Sequence, residues 1–444
     1  MPPEPATGAT PPRIHPAHRL IGRLCAVQPH EIALVGWSWL LVFSLLSAYY
    51  VIRPIRDEMG VQGGVGNLQW LFSATLLAML VLNPAFAALV RRMPRQRFIT
   101  VTYLFFAVNL LAFAAAFALV PETAQVWLGR AFFVWVSVFN LFVVSVFWAL
   151  MVDVFDPEQG KRLFGFLAAG ATIGAITGSS LTVTLVQGLG TTRLLFASIA
   201  LLLLAIVCVR RLSRLSEALA RPGATDAEQQ PIGGSVWAGL VHAVRSPYLL
   251  GICLYMLLFS ITSTLLYFEQ ASIASQYFSD RTARTRFFGS VDLAVNTLTL
   301  LVQLFLTARV LRRFGVAVTA SVLPILSTIG FAALALAPVI AVLVGAQVAR
   351  RVGNFGLARP TRELLFTVLA REDKYKAKNA IDTVVYRAGD QVGSWGYALL
   401  GSLGLGVTGI ALVAVPISLA WLANAFWLGR RQERMAAQMR PAGP

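Results

Sequence analysis

The stretch IALVGWSWLLVFSLLSAYYVI (residues 32–52) carries no charged side chain. At 1.5 Å per residue, its twenty-one residues make a helix about 31 Å long, the thickness of a bilayer's hydrocarbon core. Buried helices of water-soluble proteins use shorter and more interrupted apolar runs, so this segment reads as a membrane span. A secretory leader would be followed by a cleavage site and a soluble domain. Here more apolar runs follow, and the first span is expected to be retained.

Working outward, similar runs recur at 68–90, 98–120, 126–152, 163–187 and 194–209, then at 248–268, 287–308, 316–337, 339–358, 381–403 and 407–428. The composition agrees: 57% of the 444 residues are hydrophobic and 13% charged, against roughly 25% charged in soluble domains. Mean hydropathy is +0.70. The expectation is an all-α membrane protein of twelve transmembrane helices in two pseudo-symmetric six-helix bundles. The bundles are expected at 31–212 and 247–429, with a disordered tail at 1–30, a polar linker at 213–246 and a second tail at 430–444. An internal echo supports two related halves. Asp153, Lys161 and Arg162 precede Gly170, Gly174 and Gly178, while Glu363 and the Asp373–Lys378 run precede Gly389, Gly393 and Gly396.

The net charge of +17 would raise the question of nucleic acid in a soluble chain. Here the arginines and lysines sit between apolar runs, so topology explains them and no nucleic acid is expected. With both termini inside, twenty-seven of the 37 basic residues are cytoplasmic, seven are external and three lie within spans. That bias fits the positive-inside rule and an even number of crossings. The three cysteines have no metal or redox spacing, and His15, His18, His30 and His242 lie outside the spans, so neither a disulfide framework nor a membrane zinc site is expected. Gly160-Lys161-Arg162 lacks the loop of a phosphate-binding ATPase motif, and no DDxxD cluster is present. No cofactor is expected, nor is an enzyme.

Four constellations are candidates for chemistry. Arg53 and Arg56 end the first span three residues apart, on one helical face, beside Asp57 and Glu58; they can offer two guanidinium forks to one anion, or snorkel to headgroups. Asp153 with Lys161 and Arg162 reads as a gate or loop ion pair ahead of the glycine face, which suits close helix packing. Arg350, Arg351, Arg387 and Asp390 are charges within spans, which face a partner or a wet cavity because burial is costly. The pair Arg387 and Asp390 equally suits a brace between helices. Glu269 and Asp292 are isolated acids in spans seven and eight, suited to loading a proton or to pairing with an arginine.

At these segments the chain resembles the nucleotide (ATP/ADP) translocase family of bacteria and plastids, a branch with the twelve-span architecture of the major facilitator superfamily. Tyr50-Val51-Ile52-Arg53-Pro54-Ile55-Arg56-Asp57 is similar to that family's Tyr-x-(Ile/Leu)-Leu-Arg-x-x-Lys-Asp segment, and Ser145-Val146-Phe147-Trp148 with Lys161-Arg162 also matches, as does the stretch 359–395. The resemblance implies that Arg56, at the family's lysine position, contacts cargo. It also places a family glutamate near Ser137 or Asn140, where this chain has no acid. The general facilitator signature between spans two and three is reduced to its basic end, Arg91 to Arg95.

The resulting expectation is a secondary transporter that works by alternating access on an anionic, nucleotide-like solute. Arg53, Arg56, Arg350, Arg351, Arg387 and Asn140 would bind substrate; Asp57, Asp153, Lys161, Arg162, Glu269, Asp292 and Asp390 would couple or gate. Membrane lipid is the other partner, the molecule is a monomer by analogy, and 33 Arg against four Lys suits a GC-rich bacterium and its inner membrane. A proton-coupled facilitator for another organic solute is the first alternative. A membrane-embedded enzyme or a non-transporting sensor is the second.

Overall fold

The structure is a computed structural model and describes residues 28, 31–93, 95–219, 246–369, 378 and 380–439. Most of the expected N-terminal tail, residues 220–245 of the expected linker, the lysines at 374 and 376 and the side chain of Lys161 lie outside the described residues.

The first helix, α1 (Ile32–Gln62), runs ten residues past the end of its uncharged stretch, through Arg53, Pro54 and Arg56. A 3₁₀ turn (Val65–Asn67) leads to α2 (Leu68–Arg92), then α3 (Arg95–Leu119) and α4 (Glu122–Val154). The helical run Pro157–Leu219 has 63 residues. At about 95 Å it is roughly twice what a bilayer with its headgroups requires. Gly190, at φ +74°, breaks it into α5 (157–189) and α6 (191–219), because only glycine adopts that backbone without a side-chain clash. The helix α6 therefore reaches into the segment expected to be linker.

In the second half, α7 (Pro247–Tyr277) starts with Pro247 behind the Ser246 cap, and α8 (Arg281–Phe305) starts behind Asp280, whose carboxylate accepts from the Ala283 amide at 2.8 Å. Then come α9 (Thr307–Leu336) and α10, which comprises Ile340–Gly353, a π-turn at Asn354–Ala358 and Arg359–Leu365. The next helix, α11, opens with a π-turn at Ile381–Val385 and continues as Tyr386–Ser402. Last, α12 (Val407–Gln438) extends two turns into the expected C-terminal tail. No strand occurs among the described residues. Nine helical runs among them are long and apolar enough to cross a membrane; one of these holds both α5 and α6. The charged, π-interrupted α10 and α11 fall outside that set.

The apolar core divides as the chain does. One buried cluster draws every member from residues 34–212, and two others draw theirs from 248–428. A fourth, with Val61, Leu68, Leu71 and Phe133 against Phe268, Ala271, Ala274 and Phe288, joins the halves.

Glycines set the closest crossings in both halves. A Cβ on Gly170 would lie 2.7 Å from Trp39 Nε1, one on Gly174 would lie 2.5 Å from the Phe43 carbonyl oxygen, and one on Gly178 would strike the Ser47 carbonyl. This bares a face of α5 to α1, and Ser47 Oγ donates to the Gly174 carbonyl across it at 3.0 Å. The matching pair is α7 with α11: a Cβ on Gly389 would lie 2.6 Å from Ser260 Cβ, and one on Gly393 would lie 2.9 Å from Thr264 Cβ. Gly396 faces open space and takes no part.

Candidate functional site

A cavity of about 190 Å³ lies between the halves. Tyr49 and Arg56 of α1, Thr75 and Met79 of α2 and Ser137 and Asn140 of α4 line it from the first half. Tyr386, Arg387, Asp390 and Gln391 of α11 line it from the second. Ser137 and Asn140 fall at the middle of α4, so the cavity sits at mid-depth. The extension of α1 explains how Arg56 reaches it. Helical side chains lean toward the N-terminus, which turns Arg56 back into the protein and away from the headgroups. Its guanidinium lies 3.9 Å from the centre of the Phe133 ring and donates to Asp57 Oδ1 at 3.1 Å. Tyr267 of α7 donates to the same oxygen at 3.0 Å, tying the two halves. Opposite, Arg387 donates to Asp390 Oδ2 at 3.2 Å, while Asp390 Oδ1 accepts from Ser260 at 2.6 Å and Thr264 at 3.3 Å. Arg387 therefore both lines the cavity and braces its own helix.

From the middle of the helices toward the end that carries the turns 63–67 and 278–280, which is the outer end in the expected orientation, the halves meet through charge. Asp292 Oδ1 of α8 accepts from Arg53 Nη1 of α1 at 2.7 Å and from Arg351 Nη1 of α10 at 2.6 Å. Glu58 of α1 is 0% exposed and pairs with Arg284 at 3.1 Å and Arg281 at 3.5 Å, both of α8. Arg281 also donates to Gln125 of α4 at 2.9 Å. Ser73 of α2 donates to Gln391 of α11 at 2.8 Å and accepts from Trp395 Nε1 at 3.0 Å. The Glu58 pairs lie outward of the cavity, whereas Arg53 stands one turn inward of Arg56 on α1 and Gln391 itself lines the cavity.

The remaining expected residues disperse. Arg350 is buried at 3% exposure inside the second half, donating at 3.0 Å to Ser327, to Thr262 and to the Phe259 carbonyl; it does not line the cavity. Neighbouring residues on a helix point about 100° apart, so Arg350 and Arg351 meet different surroundings. Glu269 is 0% exposed, and neither carboxylate oxygen has a hydrogen-bond partner among the described residues. It stands apart from the arginine network. Arg162 donates to both oxygens of Glu31, at 3.1 and 2.7 Å, at the far end of the first half. Asp153 is exposed.

Glu31 precedes α1 and was not singled out from the sequence. Burial pushes its carboxyl up, but hydrogen bonds from Arg162, the Gln28 amide and Gln159 outweigh this and hold it below the ordinary 4.5. Tyr267, Ser73, Gln391 and Arg284 were also missed. Arg284 was counted as a topological charge, and the other three are neutral residues without a local motif.

Among the described residues no group of three His, Cys, Asp or Glu is placed to hold a metal ion. The site's resources are paired guanidinium groups, phenols, amides and a few carboxylates. Paired guanidinium groups are the kind of donor that suits a phosphate or a carboxylate.

The sequence profile of the Major Facilitator Superfamily matches residues 32–389. The chain belongs to that superfamily of transporters. Among curated relatives, ADP,ATP carrier protein 1 of Chlamydia trachomatis is 23% identical, with 94% of this chain and 92% of that protein covered. ADP,ATP carrier protein 2 of Chlamydia pneumoniae is 27% identical over 44% of this chain and 41% of its own. Solved structures share the fold of this superfamily member at low identity. A bacterial homologue of the iron transporter ferroportin, in its inward-facing state, aligns with a TM-score of 0.62 at 13% identity, covering 91% of this chain and 98% of that one. The nucleoside transporter NupG aligns with a TM-score of 0.59 at 12% identity, covering 90% and 99%.

Proposed function

We propose that this superfamily member is a secondary carrier that moves a phosphate-bearing, nucleotide-like anion by alternating access. The observation that carries the reading is that Arg56 and Arg387, one from each half of the chain, line one mid-depth cavity with Asn140 and Asp390. A cargo bridging two guanidinium groups on opposite halves contributes to both conformations of a rocking carrier. The likeness to proteins named ADP,ATP carriers favours a nucleotide over other anions. At about 190 Å³ the cavity is below the roughly 300 Å³ at which ligand pockets begin, so a nucleotide enters only as the halves part. Arg53, one turn from Arg56 on α1, and Arg351, joined to it through Asp292, serve as further anion contacts. Asp57, Asp292 and Asp390 position them. Arg162 and Glu31 brace the opposite end, and Arg350 serves the second half's packing.

The halves 31–212 and 247–429 are taken as the two rocking units, working as a monomer in a bacterial inner membrane with both termini cytoplasmic. The test is uptake of labelled ATP, ADP, orthophosphate and a sugar phosphate into proteoliposomes, each with and without counter-substrate. Saturable uptake of at least one of these, accelerated by internal anion, is expected; no uptake of any refutes the reading.

A proton-coupled facilitator is the second reading, and one observation favours it. Glu269 is a fully buried carboxyl without a hydrogen-bond donor among the described residues, and such a group is easier to keep as the neutral acid than as an anion. A pH gradient imposed in the same vesicles separates the two: uptake driven by the gradient and lost in Glu269→Gln supports proton coupling.

A further inference from the structure

Two cations from opposite halves share one carboxylate oxygen. Arg53 of α1 and Arg351 of α10 both donate to Asp292 Oδ1, at 2.7 and 2.6 Å. Asp292 Oδ2 and Arg351 Nη2 are buried, and neither has a hydrogen-bond partner among the described residues. The cluster thus holds two positive charges against one negative charge, with one buried acceptor and one buried donor unused. None of the three lines the cavity, but Arg53 stands one helical turn from Arg56, which does, with its guanidinium 5.6 Å from the centre of the Tyr50 ring, and Arg351 lies three residues before the α10 π-turn.

We propose that Asp292 is a tethered substitute for the anionic group of the cargo. In the empty carrier its carboxylate occupies the guanidinium groups of Arg53 and Arg351 and so holds the halves together at the depth of the cavity. An incoming phosphate or carboxylate first meets the unused Nη2 of Arg351, then takes over both guanidinium groups. Asp292 loses its hold on the first half, and the outer end is free to part. The idea rests on the anion-carrier reading above and extends it to how cargo unlocks the carrier. Neutral solutes have no means of displacing Asp292, so the same residue acts as a selectivity filter for charge. The Glu58 pairs with Arg284 and Arg281 also join the halves, but nearer the outer end, where α1 finishes and α8 begins; they are latches that cargo does not touch.

Competition makes a prediction that a merely structural ion pair does not. If Asp292 and cargo contest the same arginines, removing the carboxylate both loosens the outer end and tightens anion binding. The experiment uses full-length protein in nanodiscs with its native cysteines replaced and spin labels on Gly66→Cys and Ser279→Cys, exposed positions at the outer ends of the two halves. Inter-label distances are measured without ligand and with ATP or with orthophosphate, and half-saturating concentrations come from ligand-induced thermal shift.

In the parent protein the labels are expected to stay close without anion and to separate on anion addition. In Asp292→Asn they are expected apart without anion, with the half-saturating concentration lowered about tenfold. Asp292→Glu is expected to restore the closed distance. Glu58→Gln is expected to loosen the outer end with no gain in anion affinity. If Asp292→Asn does not fold, Arg351→Gln decides: the Arg53–Asp292 pair is then uncontested, and anion should no longer separate the labels. An Asp292→Asn carrier that stays closed, or binds anion no tighter, overturns the proposal while uptake by the parent protein stands, and so does anion-driven opening in Arg351→Gln. If the parent protein neither binds nor moves any of these anions, the anion-carrier reading itself falls and takes this inference with it.

Discussion

The carboxylate of Glu58 on α1 is fully buried and accepts a hydrogen bond from Arg284 on α8, 3.1 Å away across the line between the halves. One oxygen is engaged by two arginines while Oε2 has no partner among the described residues. Removing one member of a buried pair costs about 3–5 kcal/mol, because the other is left as an uncompensated charge. Glu58→Gln is therefore expected to lower the thermal unfolding temperature of the purified carrier and to make Cys substitutions near residue 279 more reactive to aqueous thiol reagents. A variant as stable and as closed as the parent would remove Glu58 from the outer contact.

The glycine face of α5 makes a steric prediction. A Cβ on Gly174 would sit 2.5 Å from the Phe43 carbonyl oxygen, a backbone atom that cannot rotate aside, whereas one on Gly165 meets nothing within 4 Å. Gly174→Ala is expected to destabilise by about 1–3 kcal/mol through overpacking. Gly165→Ala is expected to be neutral or stabilising by up to about 1 kcal/mol, from helix propensity alone. Thermal melts of the two variants in one detergent give the comparison, and equal melts would argue that α1 and α5 do not meet at Gly174.

Arg56, Arg387 and Arg350 separate binding from bracing. The first two line the cavity, while the third donates to Ser327, Thr262 and the Phe259 carbonyl inside the second half. Arg56→Ala and Arg387→Ala are each expected to reduce uptake of the transported anion about tenfold or more, mainly through KM, as a lost charge-assisted contact does. Arg350→Gln is expected to lower stability and yield while leaving KM of the folded fraction near the parent value. A KM effect confined to Arg350→Gln would reverse the assignment.

Glu31 and Arg162 give the pH dependence. The Glu31 carboxyl is held below its ordinary 4.5 in the folded protein, so the unfolded chain binds its proton first as pH falls. The pair's contribution is complete above the unfolded value and is lost as pH drops through the lower folded value. Arg162 is partly exposed, which limits the contribution to about 1–2 kcal/mol. Glu31→Gln is expected to melt earlier than the parent at pH 7, with the gap closing as pH falls below 4.5. A gap that persists unchanged into that acid range would show that ionisation of Glu31 plays no part.

Much of the architecture was legible in the chain because it rests on local properties. The uncharged run 32–52 has the length of a bilayer core, and the four-residue spacing of Gly170, Gly174 and Gly178 marks a bare helix face whatever packs on it. The end of α1 was not legible. Arginines at 53 and 56 look like a membrane edge, yet the helix carries them nine and six residues short of its own end, where Phe133, Asp57 and Asp292 receive them. The arginines of the cavity could be nominated by their cost in a span. Their neutral companions, such as Ser73, Gln391 and Tyr267, carry no such cost and left no trace.

By itself, then, the sequence determined that this chain crosses a membrane many times and that arginines and acids lie within its apolar spans. Each follows from side-chain hydrophobicity and spacing along a single helix. Only the tertiary structure decided which charge meets which. Arg53 and Asp292 are 239 residues apart and Glu58 and Arg284 are 226 apart, and nothing local relates them. Arg350 and Arg351 are adjacent in the chain, yet one secures its own half and the other reaches the shared carboxylate. A turn of about 100° per residue separates those fates, and the packing of neighbouring helices alone fixes which direction meets Asp292.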